Sequence, residues 1–130
     1  MLDTSILQQV TDVFRTLEAH YTLRINHSPR REESKQLIEF LNDFHGTSSH
    51  LNVEVHETDG DTFGFALLKN GEETGISFRG IPNGHEFTSL LLAILNADGK
   101  GKNLPDEGVA RRIRALKGDI HLQTFVSLTC

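Results

Sequence analysis

The sequence predicts a small α/β domain, and three observations carry that prediction. Apolar residues recur every three to four positions in some stretches and every second position in others, the periods of helix and strand. The two kinds of stretch alternate along the first half of the chain, in the order helix, strand, helix, strand. The length, 130 residues, suits one domain, and a composition of 37% hydrophobic and 24% charged residues is that of an ordinary globular protein.

The elements follow in order. Asp3 is placed to cap a helix over residues 4–19, whose Ile6, Leu7, Val10, Val13, Phe14 and Leu17 share one face. Tyr21, Leu23 and Ile25 alternate with Thr22, Arg24 and Asn26 and read as a strand. Ser28-Pro29 offers an N-cap and a first-turn proline for a second helix, with Glu32 and Glu33 at the positive end of its dipole. Leu37, Ile38, Leu41 and Phe44 form its inner face, and it should stop near Gly46. Leu51, Val53 and Val55 make the next strand, so these elements form a βαβ unit with parallel strands. Residues 63–68 and 76–78 are β-rich, and the Asn70-Gly71 and Gly75 between them predict a hairpin with a loose loop.

Residues 81–99 hold the most apolar run of the chain, 90–95, bounded by helix signals at both ends. Asn83 and Glu86 have the spacing of a capping box. Gly99 stands where a left-handed residue ends a helix. Phe87, Leu91, Ile94 and Leu95 share a face that Leu90, Leu92 and Ala93 widen, so this helix is expected to pack on more than one side. A loop over 98–108 leads to a helix opened by Pro105, with Val109, Ala110, Ile113 and Leu116 on one face and Gly118 behind it. Ile120, Leu122, Thr124, Val126 and Leu128 alternate with polar and aromatic neighbours as a last strand. The order is α-β-α-β-β-β-α-α-β. A parallel βαβ joined to a hairpin and a closing helix is the connectivity of a thioredoxin-like fold, to which an extra helix and a C-terminal strand are added.

Bulk properties exclude several functions. A net charge of −5 argues against a nucleic-acid surface, which needs a basic patch. No window approaches the ~20 apolar residues of a membrane span, and the N-terminus lacks the layout of a secretory signal. One cysteine excludes an internal disulfide framework and suits a reducing, cytoplasmic setting.

Candidate chemistry lies in two places. The first is His85-Glu86, at the head of the apolar helix. Position 89 is Ser, so the zinc motif His-Glu-x-x-His fails, and Glu86 reads either as a helix cap or as a proton-carrying carboxylate. The second is Cys130, at the end of the last strand. A thiol before a helix N-terminus becomes a nucleophilic thiolate, whereas a thiol at a frayed end is a bystander. The seven histidines show no ligand spacing, so no metal is expected. Gly99-Lys100-Gly101-Lys102 follows a helix instead of preceding one and reads as a mobile surface loop, not a phosphate loop. Arg111, Arg112, Arg114 and Lys117 read as solvated charge.

The string Gly80-Ile81-Pro82-Asn83-Gly84-His85-Glu86-Phe87-Thr88-Ser89-Leu90, followed by Phe125-Val126-Ser127-Leu128-Thr129-Cys130, resembles one family. It is similar to the N-terminal region of the flavoprotein component of alkyl hydroperoxide reductase, the NAD(P)H-dependent peroxiredoxin reductase. The opening Met1-Leu2-Asp3 matches too, so the resemblance covers the whole chain. It implies two tandem thioredoxin-like folds, of which only the second carries Cys-x-x-Cys. Residues 1–118 would be the first, redox-silent fold, and 119–130 the opening strand of a truncated second.

Under the same resemblance Cys130 becomes the first redox cysteine and Glu86 the acid presented to the dithiol. FAD and NAD(P)H are expected in the parent protein and no cofactor in this chain. The implied partners are a peroxiredoxin and the flavoprotein domain. No cis-proline position is found in 61–65, which fits a half without its own dithiol. This chain alone is then expected to be inactive. The competing expectation is a stand-alone thioredoxin-fold interaction module with an incidental Cys130. The edge of strand 120–130 is open to pairing, a homodimer included.

Overall fold

The computed structural model describes residues 4–58, 63–83, 85–101 and 104–125, the His85 side chain excepted. Its element order is α1 (Thr4–Phe14), β1 (Tyr21–His27), α2 (Glu32–Asn42), β2 (Leu51–Glu57), β3 (Gly64–Lys69), β4 (Glu72–Phe78), α3 (His85–Ala97) and α4 (Glu107–Arg114). The strands form one sheet in the order β2-β1-β3-β4. β1 pairs in parallel with β2, from Tyr21 opposite Leu51 to His27 opposite Glu57. It pairs antiparallel with β3, and β3 pairs antiparallel with β4. This is the thioredoxin-like arrangement that the connectivity predicts.

Strand alternation puts Tyr21, Leu23 and Ile25 of β1 and Phe65 and Leu67 of β3 on one face, all fully buried. They join Val10 and Phe14 of α1, Leu37, Phe40 and Leu41 of α2, and Leu90 and Ile94 of α3 in a single core. Phe40 meets Phe87 edge-on at 6.3 Å and Phe44 stacks on it at 5.6 Å, so α2 and α3 share that face. The other face carries Arg24 between Glu54 and Glu73, at 3.7 and 3.6 Å. A mixed sheet can leave such a polar face to water.

Several boundaries differ from the sequence prediction, each for a local reason. Helix α1 ends at Phe14, not at 19, because the amides of Arg15 and Leu17 turn back to Asp12 and Phe14. Asp3 lies outside the described residues. Helix α2 starts at Glu32 instead of after Ser28. Residues 28–31 form a turn closed by the Arg31 amide on the Ser28 carbonyl, and Arg31 becomes the N-cap. Glu32 and Glu33 do sit in its first turn.

The hairpin is tight, not loose. Asn70 and Gly71 alone connect β3 to β4, with φ of +52° and +84°, the signs of a type I′ turn. The extra length is absorbed within the strands by an irregularity between Ala66 and Leu68. Strand β2 extends to Glu57, but Val55, in line with the buried Leu51, is 48% exposed.

Helix α3 ends as its sequence predicts. Gly99 has φ +77°, its amide bonds Asn96 O, and the Lys100 amide bonds Leu95 O, the two bonds of a Schellman motif. No residue from Leu90 to Ala97 is fully exposed, so α3 is covered in part on every side. Leu90 and Ile94 are closed off, while Leu91, Leu92, Ala93 and Leu95 are only half-buried.

Helix α4 opens at Glu107 and not at Pro105, capped by Asp106, whose Oδ1 accepts the Val109 amide at 2.9 Å. None of its residues is buried. The strand predicted from residue 120 is absent over 120–125, which join no sheet, and 126–130 lie outside the described residues.

Candidate functional site

The head of α3 is built by the turn before it. Pro82 is buried, and the Asn83 amide bonds back to Ile81 O at 2.8 Å. The Glu86 amide then donates to Asn83 O at 3.2 Å, which fixes Asn83 at the entry to the helix. Glu86 therefore stands in the first turn, half-buried, next to the Phe87 ring that fills the gap against α2. A carboxylate here faces the unpaired amides and positive dipole of the helix start. That suits both readings, the cap and the proton carrier. Cys130 lies outside the described residues.

The junction between β1 and α2, where thioredoxin-like folds carry their dithiol, holds no cysteine here. Ser34, in the first turn of α2, is fully buried. Its Oγ accepts the Ser28 amide at 2.9 Å and lies 2.7 Å from His27 Nδ1. Arg31 stacks its guanidinium over Phe63 at 4.3 Å and reaches Glu33 at 3.4 Å. The Glu33 carboxyl is held below its usual range by its own backbone amide and by Arg31. Hydroxyl and guanidinium groups fill this corner, and none of them can exchange with a disulfide.

A second polar centre has no counterpart in the sequence prediction. Asp98, whose side chain is 2% exposed, ties the far end of α3 to the segment before β1. Its Oδ1 accepts the Tyr21 hydroxyl at 2.9 Å and the Ala19 amide at 3.1 Å. Its Oδ2 accepts the Glu18 amide at 3.0 Å and Lys100 Nζ at 2.9 Å. Burial pushes its carboxyl up, but the bonds from Lys100, Ala19, Glu18 and Tyr21 outweigh it and hold the group well below the usual carboxylate range. Burial, with the Asp98 bond and charge, keeps the Tyr21 phenol protonated well beyond its ordinary range.

Lys100 also reaches Glu18 Oε1 at 3.2 Å. The one signal in the sequence is Asp98 directly before a helix-ending glycine, but three of its four partners lie 77 to 80 residues away. Among the described residues no three His, Cys, Asp or Glu side chains gather as metal ligands would. No helix among them is long and apolar enough to cross a membrane.

Comparison with known proteins completes the picture. No family model matches. The alkyl hydroperoxide reductase AhpF of Staphylococcus epidermidis is 35% identical over all 130 residues, which cover 25% of that protein. A Bacillus subtilis protein named NADH dehydrogenase is 32% identical over the same span and also 25% covered. Among solved structures, the NTD N/C domain of the alkyl hydroperoxide reductase AhpF of Enterococcus faecalis superposes with a TM-score of 0.78 at 29% identity. That match covers 90% of this chain and 62% of the other. This chain matches the N-terminal region of alkyl hydroperoxide reductase AhpF. It spans a quarter of the length of the curated AhpF relatives it matches. A protein disulfide oxidoreductase of Aeropyrum pernix shares the fold over the whole chain, with a TM-score of 0.81 at 18% identity.

Proposed function

We propose that this chain is the first, redox-silent half of the dithiol electron-transfer domain of a peroxiredoxin reductase. The supporting observation is the pairing of a thioredoxin-like sheet with a β1–α2 junction that has no thiol. Ser34 and Arg31 stand there instead, in a chain similar throughout to AhpF. A stand-alone interaction module has no comparable support. On this reading residues 1–118 are the silent fold and 119–130 open the next one.

Cys130 is then the attacking thiol of that next fold. Its thiolate breaks the disulfide of an oxidised peroxiredoxin, forming a mixed disulfide and releasing one peroxiredoxin thiolate. A second cysteine, beyond residue 130, attacks Cys130 Sγ and releases the other. The peroxiredoxin gains two electrons and the dithiol becomes a disulfide. Glu86 accepts the proton that the second thiol loses on becoming nucleophilic.

On this reading FAD and NAD(P)H bind outside this chain. Its Gly99-Lys100-Gly101 sits at a helix C-terminus with Lys100 bonded to Asp98, unlike the glycine-rich loops that cradle a pyrophosphate at a helix N-terminus. They belong to the flavoprotein part of the parent, which re-reduces the dithiol.

The deciding measurement is the thiol titration of Cys130 in the chain extended through the next fold. The reading expects a value well below the ~8.5 of a free thiol and a shift when Glu86 is replaced by Gln. An ordinary thiol, unmoved by Glu86→Gln, would overturn it. The 130-residue chain alone should give no catalytic reduction of a peroxiredoxin or insulin disulfide.

A further inference from the structure

The seven histidines show no spacing in the sequence that pairs them, yet the fold brings two of them ring to ring. His20 stands directly before β1 and His50 directly before β2, and those strands start side by side, Tyr21 opposite Leu51. The two imidazole centroids are 4.5 Å apart and their planes differ by 2°. The main chain around them is tied as well. The Tyr21 amide donates to His50 O at 2.7 Å, and the Asn70 amide to His20 O at 2.7 Å. Asn70 Oδ1 accepts the His20 amide at 3.0 Å. The stack thus sits where the starts of β1 and β2 meet the β3–β4 turn.

The two rings are held unequally. His50 Nδ1 lies 3.1 Å from Ala19 O, and a carbonyl only accepts, so Nδ1 carries a proton in the neutral ring and in the charged one. The His20 side chain makes no hydrogen bond among the described residues, and His20 is exposed. The charged groups of the neighbouring elements are engaged elsewhere. Asp98 and Glu18 hold Lys100, Asp98 also holds Tyr21, and Lys69 Nζ donates to Ala97 O at 2.8 Å. Asp43 and His45 close α2, and the connection from there to His50 is uncharged. Among the described residues a carboxylate reaches His56, from Glu54 at 3.6 Å, but none reaches His20 or His50.

A neutral pair, or one carrying a single proton, keeps such a stack. Two imidazolium rings at this separation repel, and no carboxylate lies between them to offset it. Histidine is the side chain that changes charge between pH 5 and 8. We infer that the His20–His50 stack is an acid-released clasp across the starts of β1 and β2. It is closed at neutral pH and opens once both rings are charged, with His20 swinging into water while His50 stays on the Ala19 carbonyl. The stack disfavours the doubly charged pair and acid favours it, so opening follows falling pH. In surroundings close to water, charges at this distance shift the closed-to-open ratio by roughly tenfold. The clasp lies at the Asp98 end of α3, away from Glu86, and does not depend on the proposed function.

The test is proton NMR of the 130-residue chain at pH 8 and at pH 5, reading the nuclear Overhauser contact between the two rings. The closed-to-open ratio given by that contact should fall roughly tenfold at the lower pH. His20→Phe keeps a ring over His50 but cannot form the second charge, so its contact should persist at pH 5. The amides of Leu23 and Leu67, inside the sheet, should keep their exchange protection in both chains. Rings that stay in contact at pH 5 would overturn the inference, as would an equal loss of contact in His20→Phe. Loss of the Leu23 and Leu67 protection together with the contact would make the change one of the whole fold, and would overturn it too.

Discussion

Four donors converge on Asp98, so its replacement shows how far one buried carboxylate organises this chain. Asp98→Ala strips the partner from a buried phenol, two amides and an ammonium, and should cost about 2–4 kcal/mol in denaturant unfolding. Tyr21→Phe removes one bond to a charged group and should cost roughly 1–2 kcal/mol. The pH dependence has a definite sign. The folded Asp98 carboxyl lies below its unfolded value of about 3.9. Its contribution is therefore complete above that value and is lost as pH falls through the folded one. Between pH 5 and 2 the native protein should lose stability more steeply than Asp98→Asn, and equal slopes would refute the assignment. Ser34 shows the same economy at the other pole, since one hydroxyl serves both the Ser28 amide and the His27 ring.

Turn and cap chemistry acts on whole elements. Gly71 is at φ +84° with open space where a Cβ would point, so Gly71→Ala should cost only the backbone term, about 1 kcal/mol. Asp106 caps a helix outside the core. Asp106→Ala should fray α4 by about 1 kcal/mol, visible in exchange at 109–112, without moving the main unfolding transition. Elements are legible in the sequence where periodicity and punctuation agree. The end of α3 at Gly99 is such a case, because a left-handed glycine after an apolar run has few other uses. The start of α2 is not, because Ser28-Pro29 suits a turn as well as a cap. The bond of the Ser28 amide to Ser34 Oγ, six residues on, decides between the two.

At the scale of the molecule, the fold closes by about residue 100, and the described residues beyond 104 are largely exposed. Leu90→Ala or Ile94→Ala should cost about 2–5 kcal/mol, whereas Leu122→Ala should stay within ~0.5 kcal/mol. The sheet order and the core helices are readable in advance because binary patterns specify faces. The last strand departs from its prediction for an instructive reason. Alternation records what a segment is built to pair with, and within 120–125 no pairing partner belongs to the described sheet. The candidate site is half legible, since Glu86 announces itself in a helix start while three of the four partners of Asp98 lie 77 to 80 positions away.

That separation has a consequence for synthesis. Glu18, Ala19 and Tyr21 leave the ribosome long before Asp98 does, by roughly 4–16 s at ordinary elongation rates. Throughout that interval the amides of Glu18 and Ala19 and the phenol of Tyr21 lack the carboxylate that holds them in the finished fold. Asp98 therefore acts as a completion signal for the nascent chain, tying the segment before β1 to the end of α3 only once that helix has been made.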